Sequence, residues 1–227
     1  MTSRLRGRFG EAASLLFALL LIGVGARSRG PRQSTLKKIA ASEEVRRKRT
    51  RAEHELRARA EEIVRSSPWG PALRTTVVDS CTRGGGKNHL DQNAPKQPAL
   101  YCQMRLHLYF VVDRPVPQIL RDLRSMRTPT PWTEGSILSA LWYHESRAYE
   151  KPHAYLPSIS SRTGGERLTW DAPGEGATLE VPEPCPGRKA VFSTCASEPA
   201  EVRLASLRER PGTLFAWTLT AEYHTVP

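Results

Sequence analysis

The four cysteines are the residues of this chain whose spacing indicates chemistry most directly. Cys81 ends one predicted strand and Cys102 begins the next, so a hairpin would place their side chains together. Cys185 and Cys195 flank a short turn. Of the three pairings that four cysteines allow, we therefore predict the two local disulfides, Cys81–Cys102 and Cys185–Cys195. Such bonds persist in oxidising compartments.

Two other interpretations of the cysteines stay open. Zinc sites are built from CxxC-type pairs or from cysteine and histidine clusters, whereas the two local pairs here have 20 and 9 intervening residues. Free thiols in the core of a cytosolic protein are the second alternative. Disulfides would indicate an oxidising compartment, whereas free thiols would indicate the cytosol.

The candidate catalytic motifs are incomplete. His144 and Glu145, followed by His153, resemble part of a zinc-hydrolase helix motif, but that motif needs its second histidine three residues after the glutamate, where this chain has Ala148. The glycine-rich run at residues 84–87 lacks the first glycine and the final hydroxyl residue of a phosphate-binding loop. We expect no catalytic, cofactor-binding or metal-binding residue, and a hydrolase that uses residues near His144 is the alternative.

An uncharged apolar segment at residues 12–26 follows a basic N-terminal tail, residues 1–11. A spanning helix usually needs about 20 apolar residues, and a basic start with small residues at the end of the apolar run is typical of secretion signals. We predict an uncleaved, single-pass transmembrane signal anchor. A signal peptide cleaved after Ala26 and a hydrophobic helix of a cytosolic protein are the alternatives.

The orientation of the chain is predicted by two conflicting features. Five basic residues lie directly after the apolar run, and the positive-inside rule would keep the C-terminal side of the run in the cytoplasm. They are Arg27, Arg29, Arg32, Lys37 and Lys38. The cysteines favour export, so we predict a plasma-membrane protein whose C-terminal domain lies outside the cytoplasm, or a secreted one if the signal is cleaved. The five basic residues are then expected to contact membrane lipid.

The net charge of +11 is concentrated near the N-terminus. Residues 1–67 carry 16 Lys and Arg against 7 acidic residues, whereas residues 68–227 carry 18 against 16. The larger part of the chain is therefore nearly balanced, and we expect no nucleic-acid partner. A cytoplasmic-facing membrane protein that contacts lipid or nucleic acid through its basic segment is a further alternative.

Residues 27–67 predict a charged helical stalk. Mixed-sign charges in good helix formers indicate one helix over residues 35–66, and Pro68 ends it. The apolar positions in it are too sparse for a sustained heptad; they are Leu36, Ile39, Leu56 and Ile63. We expect a solvated stalk that holds the domain away from the bilayer, with a dimerising or membrane-surface helix as alternatives.

Residues 68–227 predict a single α+β domain, in which one or two helices pack against a mainly antiparallel sheet. Residues 74–81 and 100–112 are rich in β-branched and aromatic side chains, and the second segment alternates apolar and polar positions as a half-buried strand does. Residues 113–127 predict an amphipathic helix that lies on the sheet. Further candidate strands lie at residues 136–143, 167–171, 178–181, 190–195, 201–207 and 214–224.

Six aromatic residues could line a ligand groove, but at strand positions we expect them in the core. They are Trp132, Trp142, Tyr143, Tyr155, Trp170 and Trp217. The sequence as a whole thus favours a membrane-anchored, extracytoplasmic domain without catalytic activity, which binds a protein or another envelope component. It does not predict the ligand or the oligomeric state.

Overall fold

The computed structural model of this chain describes residues 31–84, 98–125, 132–146, 158–171, 181, 184–185 and 190–227. The predicted basic tail and the predicted membrane span lie outside these residues. In the described part of the chain, no helix combines the length and the apolar character that a membrane crossing needs.

Six strands form one sheet with the order β3-β4-β6-β2-β1-β5. Their bounds are β1 Arg74–Arg83, β2 Leu100–Val112, β3 Ile159–Ser160, β4 Glu166–Trp170, β5 Phe192–Glu198 and β6 Thr213–Val226. Every pairing is antiparallel. The α+β class and the antiparallel sheet predicted from the sequence are confirmed.

Helices cover both faces of the sheet unequally. Their bounds are α1 Gln33–Ala40, α2 Glu43–Ser66, α3 Val116–Ser125, α4 Glu134–Glu145 and α5 Leu204–Arg208. Apolar side chains of α2, α3 and α4 form one large core cluster with one face of β2, β4 and β6. The short α5 packs Leu204 and Leu207 on the opposite face, against Tyr109 of β2. We call these the helix face and the second face of the sheet.

Strand β2 shows why this sequence forms a central strand. Met104, Leu106, Leu108 and Phe110 alternate along it, and all four are buried in the helix-face cluster. Successive side chains of a strand point to opposite faces, so the intervening residues lie on the second face. The alternation predicted from the sequence is therefore the one that the sheet uses.

The predicted stalk over residues 27–67 is not confirmed. In place of one helix over residues 35–66 there are two, because the chain breaks after Ala40 and Ser42 caps α2 by accepting a hydrogen bond from the Val45 amide at 3.4 Å. The second helix packs along the sheet through a buried stripe that includes Ala52, Leu56, Ala60 and Ile63. The alanines carry so little side chain that a helix of low hydrophobicity can still approach the sheet closely.

Two other expectations are corrected by the structure. Residues 136–143, a candidate strand, belong to α4, whose N-cap Thr133 accepts a hydrogen bond from the Ser136 amide at 3.3 Å. Residues 204–207 of the candidate strand at 201–207 belong to α5. A short run of apolar residues fits the repeat of a helix and the repeat of a strand equally well. Only the packing of the run in the folded protein decides between the two. Most of the candidate strand at 178–181 lies outside the described residues.

Candidate functional site

A groove of about 370 Å³ lies on the helix face, between α2 and the strands β1, β2 and β5. Its floor is apolar, since Ala60, Leu106 and Leu108 are buried there. The other described residues that line it are Arg57, Glu61, Val64, Arg65, Thr75 and Glu198. The volume falls within the range of about 300–1,000 Å³ that is usual for ligand sites.

The groove exists because α2 packs mainly on the centre of the sheet and reaches the β5 edge only through the long side chains of Arg49 and Arg57 in the contacts that the structure describes. This helix contacts β6 and β2. On β1, Thr75 and Val77 lie opposite Leu108 and Leu106, which places them on the same face. Both β1 residues are only partly buried. A strip of the sheet beside α2 is thus left accessible to a ligand.

One ion pair joins the two walls of the groove. Arg57 of α2 donates from Nη1 and Nη2 to the two carboxylate oxygens of Glu198 on β5, at 3.4 and 3.2 Å. Its Nε donates to Glu53 Oε1 at 2.9 Å. These contacts hold the helix wall and the edge strand at a defined separation.

The rim of the groove also carries two charges of opposite sign. Glu61 and Arg65 are exposed and stand one turn apart on α2. Neither has an ion pair with any other described residue. Both charges stand on the α2 wall beside the apolar floor, with no ion pair in the described part of the chain. Such a wall suits a ligand that carries a cation, an anion and an apolar group close together.

A buried charged cluster, which sequence reasoning missed, fixes α2 against the sheet. Asp79 on β1 forms an ion pair with Arg49 of α2 and accepts a hydrogen bond from the Tyr223 hydroxyl at 2.6 Å. The Arg49 guanidinium also lies 4.0 Å from the centroid of the Phe192 ring and donates to the Ala40 carbonyl at 3.3 Å. The signal was present in the sequence, because alternation along 74–81 places Asp79 on the same face as Cys81.

Burial raises the pKa of the Asp79 carboxyl above its ordinary value, although the Tyr223 hydroxyl and the Arg49 guanidinium favour the charged form. Burial, together with the hydrogen bond to Asp79, raises the pKa of the Tyr223 phenol. Burial therefore disfavours the charged form of Asp79 more than the hydrogen bond from Tyr223 and the charge of Arg49 favour it. The cluster therefore acts as a structural contact whose members depend on one another.

His107 occupies the centre of the second face. The register aligns it with Thr76 on one side and Thr218 on the other, and its Nδ1 lies 2.9 Å from the Thr218 hydroxyl. Burial, with a smaller contribution from the charge of Arg105, lowers the pKa of His107 to about 4. The imidazole is consequently neutral at pH 7.

His144, the residue proposed for hydrolytic chemistry, lies in the core of the domain. Its Nε2 accepts a hydrogen bond from Trp170 Nε1 at 3.1 Å, and burial lowers the pKa of the imidazole. His153 lies outside the described residues. Among the residues that the structure describes, no group of three or more His, Cys, Asp and Glu is placed to hold a metal ion.

The cysteines form the two pairs predicted from the sequence. Cys81 lies opposite Cys102 in the β1–β2 register at an S–S distance of 2.10 Å, and Cys185 and Cys195 are 2.06 Å apart. The first pair is fully buried. The second joins the edge strand β5 to the preceding segment, and Cys195 is exposed on it.

The predicted lipid-contacting residues fall in two groups. Arg27 and Arg29 lie outside the described residues. Arg32, Lys37 and Lys38 are exposed, immediately before α1 and in its last turn. Within the described ranges, none of the three is bonded to an acidic side chain.

The tryptophans divide between the core and the surface. Trp132, Trp170 and Trp217 are buried, as expected, whereas Trp142 is 64% exposed. Leu138, one turn before it on α4, is 43% exposed. This pair is a second exposed surface, remote from the groove, and the expectation that Trp142 belongs to the core is wrong.

The fold and the groove define an α+β domain with a ligand-sized cleft beside the edge strand of its sheet. Comparison of the chain with protein families, with characterised proteins and with solved structures finds no match.

Proposed function

We propose that this protein is a membrane-anchored, extracytoplasmic domain without catalytic activity, which binds an extended peptide segment of a protein or of another envelope component. The observation that carries the proposal is the groove beside α2, whose apolar floor lies next to Glu61 and Arg65 on the helix wall, two charges that form no ion pair with any described residue. A peptide of the complementary kind has an apolar side chain between a basic and an acidic one.

The location is supported by the sequence and by the cysteines. The apolar segment at residues 12–26 supplies the anchor, and the basic residues after it are suited to anionic lipid. The two cysteine pairs at disulfide distance favour an oxidising compartment. The near-neutral charge of residues 68–227 favours a protein or envelope ligand over nucleic acid.

The hydrolase alternative rests on His144. Its hydrogen bond to Trp170 and its burial between α4 and β4 favour a role in packing. The other alternative, a cytoplasmic-facing protein that contacts lipid or nucleic acid, requires reduced cysteines.

Labelling of the cysteines in intact cells tests the location. We expect a maleimide coupled to polyethylene glycol, added from outside, to label the exposed Cys185 and Cys195 of the full-length chain after reduction and to label no cysteine before it. The measurement is the shift of the chain on a gel. Thiols that react without reductant, and only once the membrane is opened, would contradict the export of the domain.

Binding of short peptides tests the groove. We expect the full-length protein to prefer a peptide with the sequence Lys-Leu-Asp to its Lys-Leu-Lys counterpart, and Arg65→Glu to weaken binding of the first peptide by about tenfold, because one charged hydrogen bond is lost. The same substitution should improve binding of Lys-Leu-Lys. Fluorescence anisotropy of labelled peptides measures both affinities.

Arg51→Glu is the matched control, because Arg51 is an exposed arginine on the same helix that does not line the groove. It makes the same change in net charge as Arg65→Glu and should leave the preference between the two peptides unaltered. Equal effects of the two substitutions would mean that only the overall charge matters, and would contradict the groove as the binding site.

A further inference from the structure

The first described helix shows where the chain joins the domain. Leu36 and Ala40 of α1 are buried against Cys81, Leu100 and Cys102, at one end of the sheet. Because α2 then runs along the sheet, residues 33–66 do not separate the domain from the segment that precedes α1. The end of the sheet that carries the Cys81–Cys102 pair is therefore the end nearest to the predicted membrane span.

The length of chain between the span and the domain is short. The predicted span ends at Ala26 and α1 begins at Gln33, which leaves six residues between them. Six fully extended residues reach about 20 Å. A domain held this closely cannot be far from the lipid headgroups.

Unpaired positive charge is concentrated at the same end. The basic end, as we define it, consists of five exposed residues: Arg32, Lys37, Lys38, Arg47 and Arg83. None of the five forms an ion pair at contact distance with an acidic side chain in the part of the chain that the structure describes.

The acidic residues nearest to the basic end in the chain are already neutralised. Glu43 bonds to Arg46 at 2.9 Å and Glu44 to Lys48 at 2.7 Å. Lys48 also lies 3.5 Å from His224, which is opposite Cys102 in the sheet, so this part of α2 belongs to the same end. Arg47 also helps to lower the pKa of the Glu44 carboxyl through its charge, so the least compensated charges of the basic end are Arg32, Lys37, Lys38 and Arg83.

We infer that the basic end rests on anionic lipid headgroups, so that the protein lies directly on the bilayer and does not stand on a stalk. This inference rests on the membrane anchor of the proposed function. Leu108, in the floor of the groove, is six residues along β2 from Cys102, which is about 20 Å. The groove is consequently held clear of the lipid and open to a ligand from the compartment.

Chemical labelling of lysines in lipid nanodiscs tests the contact. The full-length protein is placed in discs of phosphatidylcholine alone or of phosphatidylcholine with phosphatidylglycerol, and acetylation by a water-soluble ester is followed by mass spectrometry. On the anionic discs, Lys37 and Lys38 should react about fivefold more slowly. Arg210→Lys introduces a reporter at an exposed position outside the basic end, and its labelling rate should not change.

Two double variants distinguish a lipid contact made by the basic end from an effect of the net charge of the protein. Arg47→Gln with Arg83→Gln should reduce the protection of Lys37 and Lys38, whereas Arg162→Gln with Arg203→Gln, an equal charge change at exposed positions elsewhere, should not. The inference is overturned if Lys37 and Lys38 react equally on both discs, if the reporter is protected in their place, or if the two double variants behave alike.

Three outcomes show which part of the reasoning has failed. Equal protection of the same lysines by duplex DNA on phosphatidylcholine discs would assign the basic end to polyanions in general and overturn the lipid assignment. A chain that does not stay with the discs would overturn the anchor of the proposed function, and the inference with it. A chain that stays in anionic discs with Lys37 and Lys38 unprotected overturns the inference alone.

Discussion

Arg49→Met is expected to lower the free energy of unfolding by about 3–5 kcal/mol, because it leaves the carboxylate of Asp79 buried without its cation. Asp79 is 2% exposed, and Tyr223 would be its remaining polar partner among the described contacts. The same substitution removes the contact with the Phe192 ring and the hydrogen bond to Ala40. Urea unfolding followed by circular dichroism measures the change.

The double variant Arg49→Met with Asp79→Asn is the control for this prediction. An amide in place of the carboxylate still accepts the hydrogen bond from Tyr223 and needs no counter-charge, so a large part of the lost stability should return. A coupling of this kind between two residues in contact is expected to exceed about 1 kcal/mol. Additive effects of the two substitutions would show that the ion pair does not fix α2 against the sheet.

Acidification from pH 6.5 to pH 4 is expected to destabilise the protein by about 3 kcal/mol through His107 alone. The pKa of His107 is about 4 in the folded protein and 6.5 in an unfolded chain. Between these values the unfolded state binds a proton that the folded state excludes. Stability therefore falls as the pH falls through this window, and is fully present above pH 6.5.

His107→Asn isolates this contribution from that of the carboxylates and of His144. Asparagine can keep a hydrogen bond to Thr218 but does not titrate, so the difference in stability between the variant and the wild type should change by about 3 kcal/mol over this range. Denaturant titrations at several pH values measure it. A difference that is independent of pH would mean that the imidazole is charged or accessible in the folded protein.

The strands and the cysteine pairing could be predicted because they depend on neighbours in the sequence. The alternation of apolar and polar residues over 100–112 predicts which face of β2 is buried. The short separations of Cys81 from Cys102 and of Cys185 from Cys195 favour local disulfide pairing. Helix α4 could not be predicted in the same way, since its apolar run satisfies the period of a strand and of a helix.

The burial of helix α2 could not be predicted from the sequence, for a different reason. Its charges correctly indicated a helix, but two of the residues that bury it are Ala52 and Ala60, and a third is the charged Arg49. Alanine is common on exposed and buried helix faces alike, and an arginine is expected in solvent unless a buried acid pairs with it. The sequence pattern therefore resembled a solvated stalk.

By itself the sequence determined the α+β class, the cysteine pairs and the distribution of charge, because each depends on composition or on residues that are near one another in the chain. Only the tertiary structure decided that α2 lies on the sheet, that Arg49 meets Asp79 and that a groove separates α2 from the β5 edge. These features depend on which elements lie side by side and how closely their side chains allow them to approach. Contacts of that kind join residues far apart in the chain, and no local pattern contains them.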